Sequence, residues 1–354
     1  MRKVEFDDVL HIYEQEVRKN TKNKYKVYKF EKYKMMNLRN ICTDLVDINY
    51  FGGTYHVFFI RHPKERVIMS LNMKDKIINH YVTKYYLMPH LESKLDDRNT
   101  ATRKGLGRDY ALGLLKKYIE KMKRYDTFYI LKLDIAKYFY SIDHKVLMSM
   151  LKEDLPDDFK YTFICNIINS TNRPYINKEI AKINVKHQLN LPYYQNGKGL
   201  PIGNMTSQFL SIYYLNRLDH KIVHEYRIKY FVRYMDDFIL IHHNKKYLKE
   251  VKSKIEEELE KVYKLHVNEK KTKITNQKEG VVFLGFRFRV MAKKTIVTVC
   301  NDTLKRIRKR IKEVKYLYLK EKISFEKAFS SINSYYYGFK KLRVKRLVDQ
   351  YFFN

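Results

Sequence analysis

Two adjacent carboxylates, Asp236 and Asp237, lie between two apolar segments at residues 230–235 and 238–241. Both segments are rich in β-branched and aromatic residues, so they predict two strands joined by a tight turn. An isolated buried carboxylate is costly, and a second one beside it raises the cost. Such charges persist when they are paired or bound to a metal ion. The alternative is a solvated turn formed by Met235 and Asp236, because aspartate is common in turns.

A third carboxylate, Asp134, ends another apolar segment far upstream, at residues 130–134. If the two strands pair, we expect Asp134 to face Asp236 across a short gap. Three carboxylates at one sheet edge repel one another unless cations hold them. Mg²⁺ prefers such hard oxygen ligands, together with substrate phosphates. Two ions of this kind can stabilise both the attacking and the leaving oxygen of a phosphoryl displacement. The three residues therefore favour a two-metal site over a solvated turn.

The elements that position these carboxylates are predicted from the apolar pattern along the chain. Helices are predicted at residues 1–50, 72–95, 114–125, from 143 onward, at 246–263 and from 301 onward. Strands are predicted at residues 54–70 (a pair around a basic turn), 128–142, 230–241 (a hairpin) and 281–290. The polar segment 170–198 predicts a loop or small insertion, and residues 199–208 predict a turn that opens a helix.

The composition predicts a polyanionic partner. The 354 residues carry a formal charge of +33, from 72 Lys and Arg against 39 Asp and Glu. An excess of this size favours nucleic acid and salt-sensitive binding. The 32 Tyr and 20 Phe suit base stacking, although an AT-rich genome would also enrich Tyr and Lys. No segment predicts a membrane span or a secretory signal, so we expect a cytoplasmic protein with no membrane partner.

Six segments in order resemble the motifs of reverse transcriptases. They are PKERVI (63–68), LDIAKYFYSIDH (133–144), GLPIGNMTSQ (199–208), YMDD (234–237), VNEKKTKI (267–274) and FLGF (283–286). The resemblance implies an α+β right-hand polymerase fold, with fingers, a palm whose antiparallel sheet packs on helices, and a short helical thumb. The implied boundaries are 1–125 for the N-terminal helices and fingers, 126–295 for the palm with part of the fingers (insertion 170–198), and 296–354 for the thumb.

The resemblance also implies roles for individual residues. Asp134 and Asp236 would bind two Mg²⁺ ions (Mn²⁺ is an alternative), the Ile135 carbonyl would assist, and Asp237 would complete the triad. Lys271 would donate a proton to the departing pyrophosphate. The residues implied to contact the dNTP are Lys64, Arg66, Phe139, Ile202, Gly203 and Gln208, with Phe139 excluding a 2′-hydroxyl. The residues implied to contact nucleic acid are Arg103, Lys104, Arg108, Tyr234, Met235, Leu284, Gly285, Lys305, Arg308, Lys309 and Lys312.

The turn motif departs from most of the family. Ile202-Gly203 replaces the usual Gln-Gly, and Ser207-Gln208 replaces Ser-Pro. This pattern resembles the enzymes of diversity-generating retroelements and related bacterial lineages associated with phage defence. The implied activity is RNA-directed DNA synthesis, with an RNA template, a DNA or RNA primer and dNTPs. A retroelement role implies a small basic accessory protein, and a defence role implies a non-coding RNA. A catalytically silent RNA-binding protein is the other alternative, against which the intact aspartates argue.

Overall fold

A computed structural model of the chain describes residues 4–61 and 64–339, together with Val348, Gln350 and Phe352. Pro63 of the predicted basic turn and most of the last fifteen residues of the predicted thumb lie outside the described residues. The described part combines helices with antiparallel sheets, which confirms the predicted α+β class. It contains no helix with both the length and the apolar character needed to cross a membrane.

Helices dominate the first third of the chain, as predicted. They are α1 (Phe6–His11), α2 (Lys24–Glu31), α3 (Lys34–Asp44), α4 (Met73–Tyr81), α5 (Met88–Leu91) and α6 (Arg108–Met122). A π-helix, Ile12–Arg18, follows α1, and another, Val82–Leu87, follows α4. The predicted strand pair consists of β1 (His56–Ile60) and β2 (Arg66–Ser70), which form an antiparallel two-stranded sheet.

A four-stranded antiparallel sheet, here called the central sheet, carries the three aspartates. Its strands are β3 (Tyr129–Asp134), β4 (Tyr230–Tyr234), β5 (Asp237–His242) and β6 (Lys273–Asn276), in the order β4-β5-β3-β6. Its two faces pack into separate apolar cores, with Leu131 and Leu133 in one core and Ile130 and Val232 in the other. Burial on both faces explains why β4 and β5 read as nearly continuous apolar runs instead of alternating ones.

Helices surround the central sheet. They are α7 (Tyr138–Ser141), α8 (His144–Asp154), α9 (Asp158–Asn169), α10 (Pro174–His187), α11 (Met205–Tyr213), α12 (Asn216–His220) and α13 (Lys245–Lys261). The strand predicted at 128–142 is too long, because Lys137 has a φ of 47° and the chain turns into α7. The loop predicted at 170–198 is wrong where α10 forms. Ile176 and Ile180 are one helical turn apart, and both are buried against residues of β1 and β2.

The last part of the chain forms a second hairpin sheet and two helices. The strands are β7 (Val281–Phe283), β8 (Phe286–Met291) and β9 (Lys294–Val299), and the helices are α14 (Asn301–Leu319) and α15 (Phe325–Gly338). The single strand predicted at 281–290 is wrong, because Leu284 (φ 47°) and Gly285 (φ 89°) form a two-residue turn between β7 and β8. Successive positive φ angles are typical of a type I′ hairpin turn.

Candidate active site

The central sheet brings the three predicted aspartates to one edge. Asp134 at the end of β3 pairs in register with Asp237 at the start of β5. Asp236 lies in the turn before β5, where Met235 has a φ of 58°. Its carbonyl accepts a hydrogen bond of 3.1 Å from the Ile135 N–H. The predicted pairing of Asp134 with Asp236 is thus displaced by one residue. The solvated-turn alternative is not supported, because Asp236 and Asp237 are both partly buried.

Asp134 is held by the segment that follows α13. Its carbonyl accepts a hydrogen bond of 2.7 Å from the Asn268 N–H. The Lys271 ammonium donates to both carboxylate oxygens of Asp134, at 2.9 and 3.1 Å. Lys271, rather than the neighbouring Lys270, makes this contact, so the structure places the predicted proton donor directly beside the triad.

Asp237 is held by a residue that the sequence analysis did not identify. The Lys132 ammonium lies 3.2 Å from Asp237 Oδ2 and donates a 2.8 Å hydrogen bond to the Val282 carbonyl in β7. Asp237 Oδ1 is buried and accepts no hydrogen bond from the described residues. Burial raises the pKa of Asp237 to about 7 against the opposing effect of Lys132, and the charges of Asp236 and Asp134 raise it further.

These observations fit a bound divalent cation. Burial raises the pKa of Asp236, and the charge of Asp134 adds to that effect. Three carboxylates therefore converge in a poorly solvated place, where the ammonium groups of Lys132 and Lys271 bond to two of them. The unpartnered Asp237 oxygen is the kind of buried acceptor that calls for an additional partner, and hard oxygen ligands suit Mg²⁺ or Mn²⁺.

A buried arginine fixes the turn beneath the triad, and it too was missed by the sequence analysis. Arg233 in β4 is fully buried and forms a two-pronged ion pair with Asp219 of α12. The same guanidinium donates a 3.0 Å hydrogen bond to the Met235 carbonyl and a 2.9 Å hydrogen bond to the Ile212 carbonyl. Arg233 therefore links α11, α12 and the aspartate turn.

The residues predicted to contact a nucleotide surround the same edge. The turn at 200–204 joins β2 through a 2.9 Å hydrogen bond from the Met69 N–H to the Ile202 carbonyl. Gly203, with a φ of 129°, lies so close that a Cβ would be 2.9 Å from the Met69 carbonyl oxygen. The Phe139 carbonyl accepts a 2.7 Å hydrogen bond from the Leu200 N–H. The backbone thus brings Phe139, Ile202, Gly203 and the strand of Arg66 together.

Two further predicted nucleotide contacts are exposed. Gln208 lies on the exposed side of α11. Lys64 precedes β2. Its side chain reaches solvent, and neighbouring residues cover part of it. Partial burial lowers the pKa of Lys64, and the cations of Lys271, Arg66 and Arg306 lower it further. A group of cations therefore lies near the aspartates, where an anionic ligand would reduce their mutual repulsion.

The predicted nucleic-acid contacts differ in how they are placed. Lys104 and the basic residues of α14 are exposed, namely Lys305, Arg308, Lys309 and Lys312. Arg108 instead lies over the ring of Phe286. Arg103 donates to the Asp96 and Asn99 carbonyls at 2.8 and 3.1 Å, and its side chain is 12% exposed. The contacts of Arg103 favour a role in shaping its loop over the predicted phosphate contact.

The remaining predicted contacts lie at two turns. Tyr234 and Met235 are half-buried at the aspartate turn, where Met235 Sδ accepts a 3.4 Å hydrogen bond from the Ser211 hydroxyl. The Leu284-Gly285 turn is attached to the start of α14, because the Cys300 N–H donates a 3.0 Å hydrogen bond to the Gly285 carbonyl. The side chain of Thr303 lies beside Gly285.

A second cluster of ligand-type side chains does not belong to this site. Single atoms of Asp96, His220 and His224 lie within 4.8 Å of one another. Both oxygens of Asp96 accept hydrogen bonds from Arg98, at 2.9 to 3.1 Å from its Nη1 atom. The His220 Nε2 atom lies 2.7 Å from the Lys94 carbonyl oxygen. Because Asp96 and His220 already have partners, we assign no ion to the cluster.

Comparisons with known proteins give one matching family model and partial similarities to solved structures. A family model described as reverse transcriptase (RNA-dependent DNA polymerase) matches residues 61–288. No curated protein matches the chain. An apo telomerase from Candida tropicalis, truncated from its C-terminal domain, aligns with 19% identity and a TM-score of 0.48, covering 72% of this chain and 56% of that one. A telomerase from Candida albicans, in complex with a TWJ fragment of telomeric RNA, aligns with 16% identity and a TM-score of 0.49, covering 77% and 52%. The chain thus spans little more than half the length of these structures.

Proposed function

The chain belongs to the reverse transcriptase (RNA-dependent DNA polymerase) family, and from this premise we propose that it synthesises DNA on an RNA template by nucleotidyl transfer. The observation that carries the proposal is the convergence of Asp134, Asp236 and Asp237 at one edge of the central sheet, with Lys271 on Asp134. A protein that only binds RNA would have no need for three crowded carboxylates, since crowding them lowers stability.

The triad would hold two Mg²⁺ ions, with Mn²⁺ as an alternative, and the Ile135 carbonyl would assist. When bound, the ions would stabilise the attacking and leaving oxygens of the phosphoryl transfer.

Side chains of the protein bind the nucleotide and supply a proton in this proposal. Lys64 and Arg66 neutralise the triphosphate, because cations near the phosphates offset its charge. Lys271 Nζ, which donates to Asp134, supplies a proton to the departing pyrophosphate. Phe139 lies under the sugar, and Ile202, Gly203 and Gln208 border the nascent pair.

The duplex would lie between the two turns and α14. Tyr234 and Met235 contact the primer end, and Leu284 and Gly285 position its backbone. Lys104, Arg108 and the exposed basic residues of α14 contact phosphates, and the exposure of that helix face supports the proposal. Binding of this kind weakens as salt rises, because each phosphate contact releases counterions.

For the biological role, we propose template-directed mutagenesis in a retroelement, in which a small basic accessory protein would assist. Ile202 in the turn supports it, since an apolar side chain beside the nascent pair supplies no directional contact to discriminate wrong pairs. The alternative is a cytoplasmic antiphage enzyme that copies a non-coding RNA. Sequencing the cDNA made on a template of known sequence separates the two roles. Frequent errors opposite one template base support mutagenesis, and a uniformly low error rate supports defence.

The activity itself is tested by primer extension. Purified protein, a primed RNA of known sequence and dNTPs are incubated with millimolar Mg²⁺, and the products are sized and sequenced. We expect products whose sequence is complementary to the RNA. Products that ignore the template, or no products with either Mg²⁺ or Mn²⁺, would contradict the proposal. A DNA template of the same sequence and a reaction with ribonucleotides define the substrate preference.

The substitution Phe139→Ala tests the sugar contact. Removing the ring should raise ribonucleotide use relative to deoxynucleotide use by about 10- to 100-fold, the range that a shape-based rejection of one hydroxyl supplies. The measurement is the ratio of kcat/KM for the two nucleotides. Phe139→Tyr, which keeps the ring, is the matched control and should retain the wild-type ratio. An unchanged ratio in Phe139→Ala would mean that the ring only packs against the core.

The substitution Lys132→Met tests whether the lysine on Asp237 positions that carboxylate. Both the contact with Asp237 and the hydrogen bond to Val282 are lost. Because small misplacements of reacting groups are costly, kcat should fall about 10- to 100-fold while KM for the dNTP changes little. Lys132→Arg should restore part of the rate, and Lys270→Met is the control at an exposed lysine. A raised KM with an unchanged kcat would instead assign Lys132 to nucleotide binding.

A further inference from the structure

The outer face of α2 and the start of α3 expose an unusual number of tyrosines. Tyr25, Tyr28 and Tyr33 have 71%, 66% and 54% of their surface exposed. Tyr25 and Tyr28 are three residues apart on the helix, so their rings lie on the same side. We call residues 22–36 the Tyr-Lys segment. The three tyrosine side chains contribute little to the core and are available to a partner.

The same segment carries a dense positive charge. Five of its lysines have exposed side chains, namely Lys22, Lys24, Lys26, Lys29 and Lys32. Its single acidic residue, Glu31, is already paired with Arg18 at 2.6 Å and accepts a hydrogen bond from Tyr13. In the described part of the chain, no carboxylate pairs with any of the five lysines, so their charge is available to a partner.

The inner side of the segment is fixed. Val27 and Phe30 are buried, with 7% of each exposed, and the ring of Phe30 lies 4.9 Å from that of Tyr13. The helix is thus held in place by its apolar side, and its tyrosines and lysines are presented on a firm support. A surface that is positioned in this way loses little conformational entropy when a ligand binds.

The segment begins beside the turn that borders the nascent pair. Thr21, three residues before α2, lines a cavity of about 150 Å³ together with Lys76, Leu71, Gly203 and Asn204. Burial lowers the pKa of Lys76, and the nearby charge of Lys26 lowers it further. Three residues span at most about 11 Å, so the Tyr-Lys segment continues the surface that starts at Gly203.

We propose that the Tyr-Lys segment binds the unpaired RNA template before it reaches the active site, with bases on the tyrosine rings and phosphates on the lysines. Alternating aromatic and basic side chains suit single strands, since every base has a face that can stack. This inference rests on the proposed function for the identity of the strand. A membrane surface is less well matched, because the apolar side of α2 is already buried and its exposed side carries Tyr and Lys, whereas the exposed Met35 and Met36 lie only at the end of the segment.

The test compares two sets of substitutions in the full chain. The first is Tyr25→Ala with Tyr28→Ala and Tyr33→Ala, and the second is Lys24→Gln with Lys29→Gln. Binding is measured by anisotropy with a fluorescent, unstructured RNA, and extension is measured on primed templates with a short or a long unpaired 5′ segment. The first set should weaken RNA binding about tenfold or more, as expected for lost stacking. The second set should reduce the slope of log affinity against log salt by about 0.7 per lost contact.

Extension distinguishes this inference from the proposed function. We expect the variants to extend the short template as the wild type does and the long template less efficiently. If the wild type extends neither template, the proposed function fails while the binding result still stands. If the variants bind RNA and extend both templates as the wild type does, the Tyr-Lys segment does not hold the template and this inference fails.

Matched controls separate stacking from other causes. Replacing the same tyrosines with Phe should retain RNA binding, because the rings remain. Tyr193→Ala, at an exposed tyrosine, and Lys246→Gln with Lys249→Gln, at exposed lysines, should leave RNA binding unchanged. A loss in these controls equal to that in the test variants would overturn the inference. So would binding to phosphatidylserine vesicles that depends on the three tyrosines while RNA binding does not.

Discussion

We expect the substitution Asp236→Asn to abolish dNTP incorporation on a primed RNA and to leave the fold intact. The same result is expected for Asp134→Asn and for Asp237→Asn. The three carboxylates meet at one sheet edge, where Asp237 keeps a buried oxygen without a partner among the described residues. A metal ion supplies several kcal/mol of transition-state stabilisation, so we expect a loss of about a thousandfold or more in kcat/KM.

Thermal unfolding provides the structural control for this prediction. Crowded carboxylates repel one another, so removing one charge should leave the melting temperature unchanged or raise it. Asp158→Asn, at an exposed position in the first turn of α9, should leave activity unchanged and lower stability by at most about 1 kcal/mol, because it removes a charge from the helix N-terminus. Incorporation near the wild-type level by Asp134→Asn or Asp236→Asn at millimolar Mg²⁺ would refute the two-metal assignment. A lowered melting temperature would mean that the lost activity reflects damage to the fold.

The largest effect on stability is expected from Arg233→Met. The substitution leaves Asp219 charged and buried without its partner, and it removes the donors to the Met235 and Ile212 carbonyls. Breaking a buried ion pair on one side costs about 3–5 kcal/mol of unfolding free energy. Urea unfolding followed by circular dichroism is the measurement, since the chain contains no Trp.

A second substitution tests the cause of that loss. Adding Asp219→Leu to Arg233→Met removes the stranded charge, so much of the lost stability should return. The exposed pair of Lys261 and Glu257 is the matched control, and Lys261→Met should have no measurable effect. If the double variant is as unstable as Arg233→Met, the hydrogen bonds to the two carbonyls account for the loss, and the ion pair does not.

The convergence of the three aspartates could be predicted from the sequence more fully than the residues that support them. Asp134, Asp236 and Asp237 follow apolar segments, and strands that are buried on both faces leave that pattern in the sequence. Lys132 lies in β3 and Arg233 lies in β4, which are two of these apolar strands. A charged residue in such a strand is ordinarily interpreted as exposed. Only the fold shows that Asp219 and the Val282 carbonyl are their partners.

The wrong predictions of secondary structure have equally local causes. The helix α10 has few buried positions, and most of its other residues are polar, so residues 170–198 resembled a loop. The Leu284-Gly285 turn lies inside an apolar run, so it was interpreted as part of one strand. At α10 the deciding contacts are with distant residues of β1 and β2, which no local pattern contains.

The attachment of α14 to the Leu284-Gly285 turn connects that helix to the aspartates through an unbroken series of contacts. Gly285 accepts a hydrogen bond from Cys300, just before α14, and β7 leads back from the turn to Val282. There Lys132 joins the Val282 carbonyl to Asp237. A displacement of α14 would therefore reach the Asp237 carboxylate through one short strand and the two contacts of Lys132. In the proposed enzyme, weaker binding of the product duplex to α14 would therefore also slow nucleotide addition.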